Sequence, residues 1–598
     1  MPTYHPPFAD MKFLLNDVLS VPRHRGFPGF ENLDEDLLSS TIDAFGDFAA
    51  KEIGPLNEGG DRVGATLGPD GVRAAPGFAD AYGIFVEGGW PALTCRAEDG
   101  GEGMPGILYT VVEEMLAGAN LSFAMAPLTS PGAYEVISLH ASDEVKARYL
   151  PKVVTGEWAT AMSLTEPQCG SALGLLRSRA EPNDDGSFRL TGTKMFNSWG
   201  DHDLTENIVH LVLARLPGAP AGVKGISLFL VPKYLAGPDG ELGRRNQFSV
   251  GSLEKKLGIH ASPTCVTDFD GATGFLVGAP HRGLASMFII MNHMRLATGA
   301  CAVGVSDAAY RNALAYTRER LAGRSVTGAR YPDLAGDPII VHPDVRRMLM
   351  TMRSLVEGGR ALCFWTSLNL DLARVHPDPL EEESHERLVS LLTPVVKAFL
   401  SDKAFECTDI ALQCFGGHGY IRDNGAEQYL RDVRMLRLGE GTSGIQAVDF
   451  ASRKVLGDGG RTLGLYFDAI RDTLSTLDAS EGAQLSDVTG ELRRALDSAA
   501  SLTEERLPRW REDPEEMAAV SLDYLHLIGY LSLGHMWARM AGTAARLLKD
   551  SPTDPTFLHN KLRTARFYCS HLLPETEALT TRIRAGAHHT MAIPDDDF

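Results

Sequence analysis

The feature that most constrains the fold is a change of texture near Glu157 that reverses near Val277. Upstream of it, apolar side chains recur every three or four residues. The stretches "LDEDLLSSTIDAFGDFAAKEI" (33–53), "TVVEEMLAGA" (110–119) and "SDEVKARYLPKVV" (142–154) each present one apolar helical face. Ser142 ahead of Asp143 and Glu144 marks a helix start, because its hydroxyl can accept an N–H that the first turn leaves unpaired. Between the two boundaries the pattern becomes short: "ATAMSL" (159–164), "SFRLTGTKMF" (187–196), "NIVHLVLARL" (207–216) and "GISLFLVPKYL" (225–235) alternate or run apolar. Gly, Pro and Asp interrupt them, so they read as strands. From 281 long helices return, with Leu284, Met287, Phe288 and Met291 on one face. Segments 343–376 and 386–415 follow, the second expected to kink at Pro394 and to stop at Gly416-Gly417. After the linker-like "LGDGG" (456–460), three more amphipathic segments fill roughly 463–590. The chain is therefore expected to be mainly α with an inserted β domain.

At 598 residues the chain exceeds one ordinary domain. The texture divides it into a leader (1–34), a helical domain (35–157), a β domain (158–280), a helical bundle (281–460) and an extra C-terminal helical domain (461–598). The net charge of -20, from 57 basic and 77 acidic residues, argues against general nucleic-acid binding. Eight scattered cysteines have neither metal spacing nor the density of a disulfide framework, which fits a reducing compartment and no metal site. The N-terminus has adjacent prolines and acids where a signal peptide needs a basic start and an apolar run. No apolar stretch approaches the ~20 residues of a membrane span. A soluble, cytoplasmic protein with no membrane insertion is expected.

Six short motifs could carry chemistry. "MSLTEPQCGS" (162–171) puts small residues and hydroxyls at a strand end, which suits an ordinary turn or close backbone approach to a planar or phosphorylated ligand. "GTKMFNSWG" (192–200) sets Phe196 two residues before Ser198, a ring and a donor such as a flavin requires, or simply a core ring beside a strand-end serine. In "MNHMRLATGA" (291–300), Arg295 stands in an apolar helical run, where it either snorkels or faces a nucleotide phosphate. "TRERLAGR" (317–324) is a basic helix end, either a solvated last turn or a pyrophosphate clamp, and "QCFGGHGY" (413–420) is a glycine cap or a cofactor contact. The sixth, "MLRLGEGTSGIQ" (435–446), holds a lone acid, Glu440, between two glycines just ahead of a helix start. No GxGxxG after a strand, P-loop or HExxH occurs, so Rossmann, kinase-like and standard zinc-hydrolase sites lack support.

Together, "TEPQCGS", "KMFNS", "KKLGIHAS" (255–262), the helical Arg295, "RERLAGR", "QCFGGHGY" and "GEGTSGIQ" resemble, in that order, the acyl-CoA dehydrogenase family. The leader, "TEPQCGSALGLL" and "VHPDVRRMLMTM" (341–352) are similar to its long bacterial branch, which carries an added C-terminal helical domain and includes broad-chain fatty acyl-CoA and methylmercaptopropionyl-CoA dehydrogenases. The resemblance implies a helical N-domain, a β-barrel middle domain, a helical-bundle C-domain and FAD as cofactor. It implies that Glu440 removes the α-proton of an acyl-CoA while the β-hydrogen leaves as hydride to flavin N5, giving a trans-2-enoyl-CoA. The Glu440 N–H and a flavin ribityl hydroxyl would hold the thioester oxygen, and burial beside substrate would raise the pKa of the base. Met162, Leu164, Thr165, Gly170 and Ser171 would lie along the flavin, with Phe196, Asn197 and Ser198 beside its ring and N5. Arg320, Gly416 and Gly417 would meet the FAD of a partner subunit, and Thr442 and Ser443 would sit at a helix N-terminus against FAD. Ser171, Asn292, Arg295, Gly439 and Gly441 would contact substrate.

Several positions depart from the family pattern. Gly439 replaces the usual aromatic before the base, freeing space for a bulkier acyl group or loosening the loop. Ala172 stands for Asp, Ala322 for Gln, and Asn292 for an Asp common in shorter relatives. The resemblance further implies a homodimer that passes electrons to an electron-transfer flavoprotein. An acyl-CoA oxidase using O2 is the alternative, and a non-catalytic binding relative is a third reading.

Overall fold

The computed structural model describes residues 2–550 and 552–598. Two compact units emerge, Asp47–Ala297 and Met1–Gly46 with Thr298–Phe598.

The first unit begins with short helices and a hairpin, Thr66–Gly68 with Gly71–Arg73. Helix α1 (Gly106–Ala119) follows and is buried at every position but its first. Ser142 does cap Asp143–Thr155, its hydroxyl accepting from Val145 N at 3.3 Å. Seven strands then come in order: β1 (Trp158–Ser163), β2 (Arg179–Pro182), β3 (Phe188–Ser198), β4 (Asn207–Arg215), β5 (Ile226–Pro232), β6 (Phe248–Leu253) and β7 (Thr264–Val277). Their pairings close on themselves. β7 pairs β3, β3 pairs β2, β2 meets β4, β4 pairs β5, and β5 returns to β7. The expected barrel is thus a ring of five strands, with β1 added in parallel to β4 and β6 antiparallel to β7. Bulges at Cys265/Thr267 and Asp270/Ala272 bend β7 so that one strand serves three partners. Ala180, Leu190, Val212, Ala214, Phe229, Val231, Phe248, Phe269 and Ala272 fill the interior.

The second unit is helical. Helix α2 (Gly283–Glu319) enters it from Thr298, followed by α3 (Pro343–Val375), α4 (Pro379–Phe415), α5 (Ser443–Val448), α6 (Arg461–Glu512), α7 (Pro514–Leu547) and α8 (Pro555–Phe567). With Glu575–Ala585, and with α6 broken at Glu481 (φ -133°, ψ 15°) into two helices, the described residues after 460 form five helices and not three: Asp513-Pro514 and Asp554-Pro555 start new helices, each Asp capping the turn that its Pro opens. Helix α4 is one span through Pro394, and Gly416 caps it as expected. Helix α2 alone among the described residues is long and apolar enough to cross a membrane, but 67% of its most apolar window is buried within the fold. The sequence shows no unbroken apolar run of that length because Asn292, His293 and Arg295 interrupt it.

The leader is not a loose tail. Its helix Phe8–Lys12 buries Asp10, whose carboxylate accepts from Arg360 on α3 and Lys561 on α8. Lys561 also reaches Glu357 at 2.8 Å, and Arg360 reaches Asp307 at 3.3 Å. The Lys561 ammonium lies 5.3–5.7 Å from the ring centroids of Phe557, Phe13 and Trp537. Burial pushes the Asp10 carboxyl up, but Lys561 and Arg360 outweigh it and hold it down at about 2.

Candidate functional site

In the first unit the strand ends of β1 and β3 carry two of the expected motifs, and the backbone ties them together. Met195 N donates to Thr165 O at 2.9 Å, and Lys194 Nζ donates to Leu164 O at 3.0 Å. Phe196 has φ +59°, unusual for a residue with a side chain, and the residue is 58% exposed. Trp199, just past Ser198, has φ +52° and is buried. Backbone strain of this kind costs about 1–3 kcal/mol and persists where the surroundings impose it. The hydroxyls of Thr165 and Ser198 make no hydrogen bond among the described residues. A Cβ added at Gly170 would meet only Thr165, at 3.7 Å, so the backbone there is open to a ligand. An exposed ring, two unengaged hydroxyls and an open glycine fit a planar group with polar edges, as an isoalloxazine is.

Met162 is half-buried in β1 opposite Leu211, Leu164 is buried, and Ser171 is exposed. Asn197 differs from the expectation in one respect: its side chain is buried and donates to Thr267 Oγ1 at 3.1 Å. Only its main chain is left for a ligand, because the β3–β7 pairing turns that amide inward. Asn292 and Arg295 share a turn of α2, with Arg295 Nη1 donating to Asn292 Oδ1 at 3.4 Å and the guanidinium over Phe288 at 5.9 Å.

A buried ion pair organises the loop between β1 and β2. Glu166 accepts from Lys194 at 2.8 Å, from Ser178 Oγ and N at 2.6 and 3.0 Å, from Arg177 N at 2.7 Å and from Gln168 at 2.6 Å. Burial pushes its carboxyl up, but Lys194 and these donors hold it at about 2; burial brings the Lys194 ammonium down to about 8 against the pull of Glu166. This pair was missed in the sequence, although a lysine at a buried phase of "RLTGTKMF" was a signal for it. Lys194→Met is expected to free the loop and weaken FAD binding about 10-fold, close to 1.4 kcal/mol. Flavin released on dilution measures it, and unchanged retention of FAD contradicts it.

In the second unit the "GEGTSG" turn precedes α5. Glu440 is half-buried with φ +56°, and Gly441 has φ +90°. Gln446 Nε2 donates to the Glu440 carbonyl at 2.9 Å, and Lys397 Nζ, fully buried on α4, donates to the Gly441 carbonyl at 2.5 Å. Thr442 caps α5 through Ile445 N and is exposed. Ser443 donates its hydroxyl to Asp402 at 2.8 Å, so that proton is engaged within the protein. A Cβ at Gly439 would come 3.0 Å from Met435 Sδ, so the thioether takes up part of the room an aromatic would use.

At the far end of α2, Arg320 is exposed and has no ion pair among the described residues. The helix end packs on the Gly416-Gly417 turn: the Tyr316 and Phe415 ring centroids are 4.6 Å apart, and the Tyr316 hydroxyl is 2.8 Å from His418 Nδ1. Nothing lies within 4 Å of a Cβ added at Gly416 or Gly417. An exposed cation four residues past Tyr316, on a helix end that packs on open glycines, fits an anionic ligand. The excursion after Arg320 is anchored by Asp337, whose carboxylate accepts from the N–H groups of Ser325, Arg330 and Tyr331 at 2.8–3.1 Å.

Known proteins match the chain over nearly its whole length. The family models for the N-terminal, middle and C-terminal domains of acyl-CoA dehydrogenases match residues 40–157, 161–272 and 281–454, and an acetyl-CoA dehydrogenase C-terminal-like model matches 466–594. A 3-methylmercaptopropionyl-CoA dehydrogenase of Ruegeria pomeroyi is 41% identical, covering 97% of this chain and 98% of its own. The broad-specificity linear acyl-CoA dehydrogenase FadE5 of Mycobacterium tuberculosis is 32% identical over 96% of each chain. Among solved structures, Caenorhabditis elegans ACDH-11 in complex with C11-CoA has a TM-score of 0.78 at 19% identity, covering 98% of this chain and 95% of its own. A Bacillus anthracis acyl-CoA dehydrogenase complexed with FAD has a TM-score of 0.70 at 20% identity, covering 92% and 88%. The protein is therefore an FAD-dependent oxidoreductase acting on carbon–carbon single bonds. It belongs to the acyl-CoA dehydrogenase family, in the form that carries an extra C-terminal helical domain.

Proposed function

We propose that the protein oxidises a short acyl-CoA thioester between its α and β carbons, with Glu440 as the base. The observation that carries the reading is the Glu440 turn: one carboxylate, on strained left-handed backbone, held by hydrogen bonds to its own and the next carbonyl. An α C–H beside a thioester is a weak acid, so its removal needs a base fixed against it, and general-base help of this kind contributes about 10²–10⁴-fold. The bound flavin supplies the hydride acceptor. Phe196 supports the ring face and Ser198 donates at its edge, while Thr165, Gly170 and Ser171 line the β1 end. Asn292 and Arg295 hold the CoA portion, and the Glu440 and Gly441 backbone lies along the thioester. Arg320 and the Gly416-Gly417 turn receive FAD from a second copy of the chain. Exposed Tyr420 and Ile421 beside that turn support a homodimer. Electrons leave to an electron-transfer flavoprotein.

Our first candidate for the acyl group is 3-methylmercaptopropionyl, from the relative that is 41% identical over nearly the whole chain. At Gly439 the flexible Met435 thioether, 3.0 Å from where a Cβ would sit, takes part of the room of the missing aromatic, and a side chain that can move aside suits a thioether-containing acyl group. Anaerobic titration with 3-methylmercaptopropionyl-, butyryl-, branched and long-chain acyl-CoAs tests the reading. Stoichiometric bleaching by the first at the lowest concentration is expected. Preference for a long chain overturns the substrate, and no bleaching by any thioester overturns the reaction. Stoichiometric peroxide during turnover in air instead identifies an oxidase.

A further inference from the structure

The C-terminal helices reach the turn that holds Glu440. The carboxylate side chain of Asp402, on α4, is only 7% exposed, and its Oδ1 accepts from Arg437 Nε at 2.6 Å and from Ser443 Oγ at 2.8 Å. These residues flank the turn, Arg437 three residues before Glu440 and Ser443 three after. Among the described residues, Asp402 is the side chain bound to both flanks at once. Its other oxygen, Oδ2, is 2.9 Å from Nε2 of His526, on α7 of the extra domain. A buried carboxylate oxygen needs a donor, so the Nε2–H of His526 points at Asp402. The imidazole is itself fixed, packed edge-on against Phe399 of α4 with centroids 5.5 Å apart at 90°. Two residues away, Tyr524 packs on Phe450, just beyond α5, at 5.6 Å.

We infer that the C-terminal domain takes part in the reaction, His526 acting through Asp402 as a positioning residue for Glu440. The inference rests on the reading of Glu440 as the base. Without the His526 donor, Oδ2 is left buried and unsatisfied, and the carboxylate is free to rotate. Rotation releases Arg437 or Ser443, and with it one anchor of the strained turn. The base then samples positions away from the α-carbon. A misplacement of about 1 Å costs on the order of 10²-fold in such a step.

The test compares His526→Phe, which keeps the ring packing and loses the donor, with His526→Gln, whose amide nitrogen falls near the imidazole Nε2. The readout is exchange of the α-protons of a 3-thia acyl-CoA with deuterated solvent. This thioester has sulfur in place of the β-carbon, so the α-proton leaves and returns with no hydride to follow. The Phe variant is expected to retain FAD and unchanged affinity for the thioester while exchanging at least about 10-fold more slowly, with Gln restoring most of the rate. Wild-type exchange in the Phe variant overturns the inference while leaving Glu440 as base. Exchange that survives in Glu440→Gln removes the reading beneath it. If the Phe variant does not fold, Asp402→Asn carries the test, and wild-type exchange there overturns the inference equally.

Discussion

Glu440→Gln is expected to yield a yellow protein whose flavin an acyl-CoA bleaches about 10³-fold more slowly than in the parent. The amide keeps the size of the side chain but cannot accept the α-proton. The turn should survive the change, because its anchors are the Glu440 and Gly441 carbonyls and the Arg437 and Ser443 side chains. FAD retention should survive too, since the ring-facing candidates Thr165, Phe196 and Ser198 lie on β1 and β3. Stopped-flow reduction under anaerobic conditions separates the outcomes. Near-parental bleaching excludes Glu440 as the base.

Lys561→Met is expected to give the largest loss of stability, about 3–5 kcal/mol. Lys561 is fully buried and bridges Asp10 of the leader to Glu357 of α3. Methionine fills much of the volume among Phe13, Trp537 and Phe557 but leaves two carboxylates short of their counter-ion. Arg360 remains beside Asp10, and Arg353 beside Glu357 at 2.7 Å, which keeps the loss within that range. Urea unfolding reports it, and a change under about 1 kcal/mol contradicts the account. The same cluster gives a pH dependence of known sign. The Asp10 carboxyl sits at about 2 in the folded protein against its ordinary 3.8, so its contribution is complete above about pH 3.8 and is lost as pH falls through about 2. In Lys561→Met this acid-labile component should shrink.

The order helical, β, helical was legible because periodicity is local. A period of two reveals Phe188–Ser198 and continuous apolar runs reveal Asn207–Arg215 and Ile226–Pro232 without knowledge of what they pack against. Closure of five strands into a ring was not readable from the residues, because β7 pairs β3, β5 and β6 through two bulges that leave no period of their own. Motifs made of adjacent residues were also visible. Phe196 and Glu440 were picked out by neighbours in the chain, and both lie on the left-handed backbone that such tight turns demand.

What the sequence determined by itself, then, is what neighbours decide: element type, helix caps, the glycine-flanked acid and the family it resembles. The tertiary structure alone decided which distant groups meet. Lys561 finds Asp10 across 551 residues, His526 finds Asp402 across 124, and Asn197 turns its amide inward to Thr267. Side-chain hydrogen bonds and buried charges are satisfied by whatever the packed chain brings within about 3 Å. Separation along the sequence carries no record of that distance, so the partners that steady Glu440 were invisible until the helices were in place.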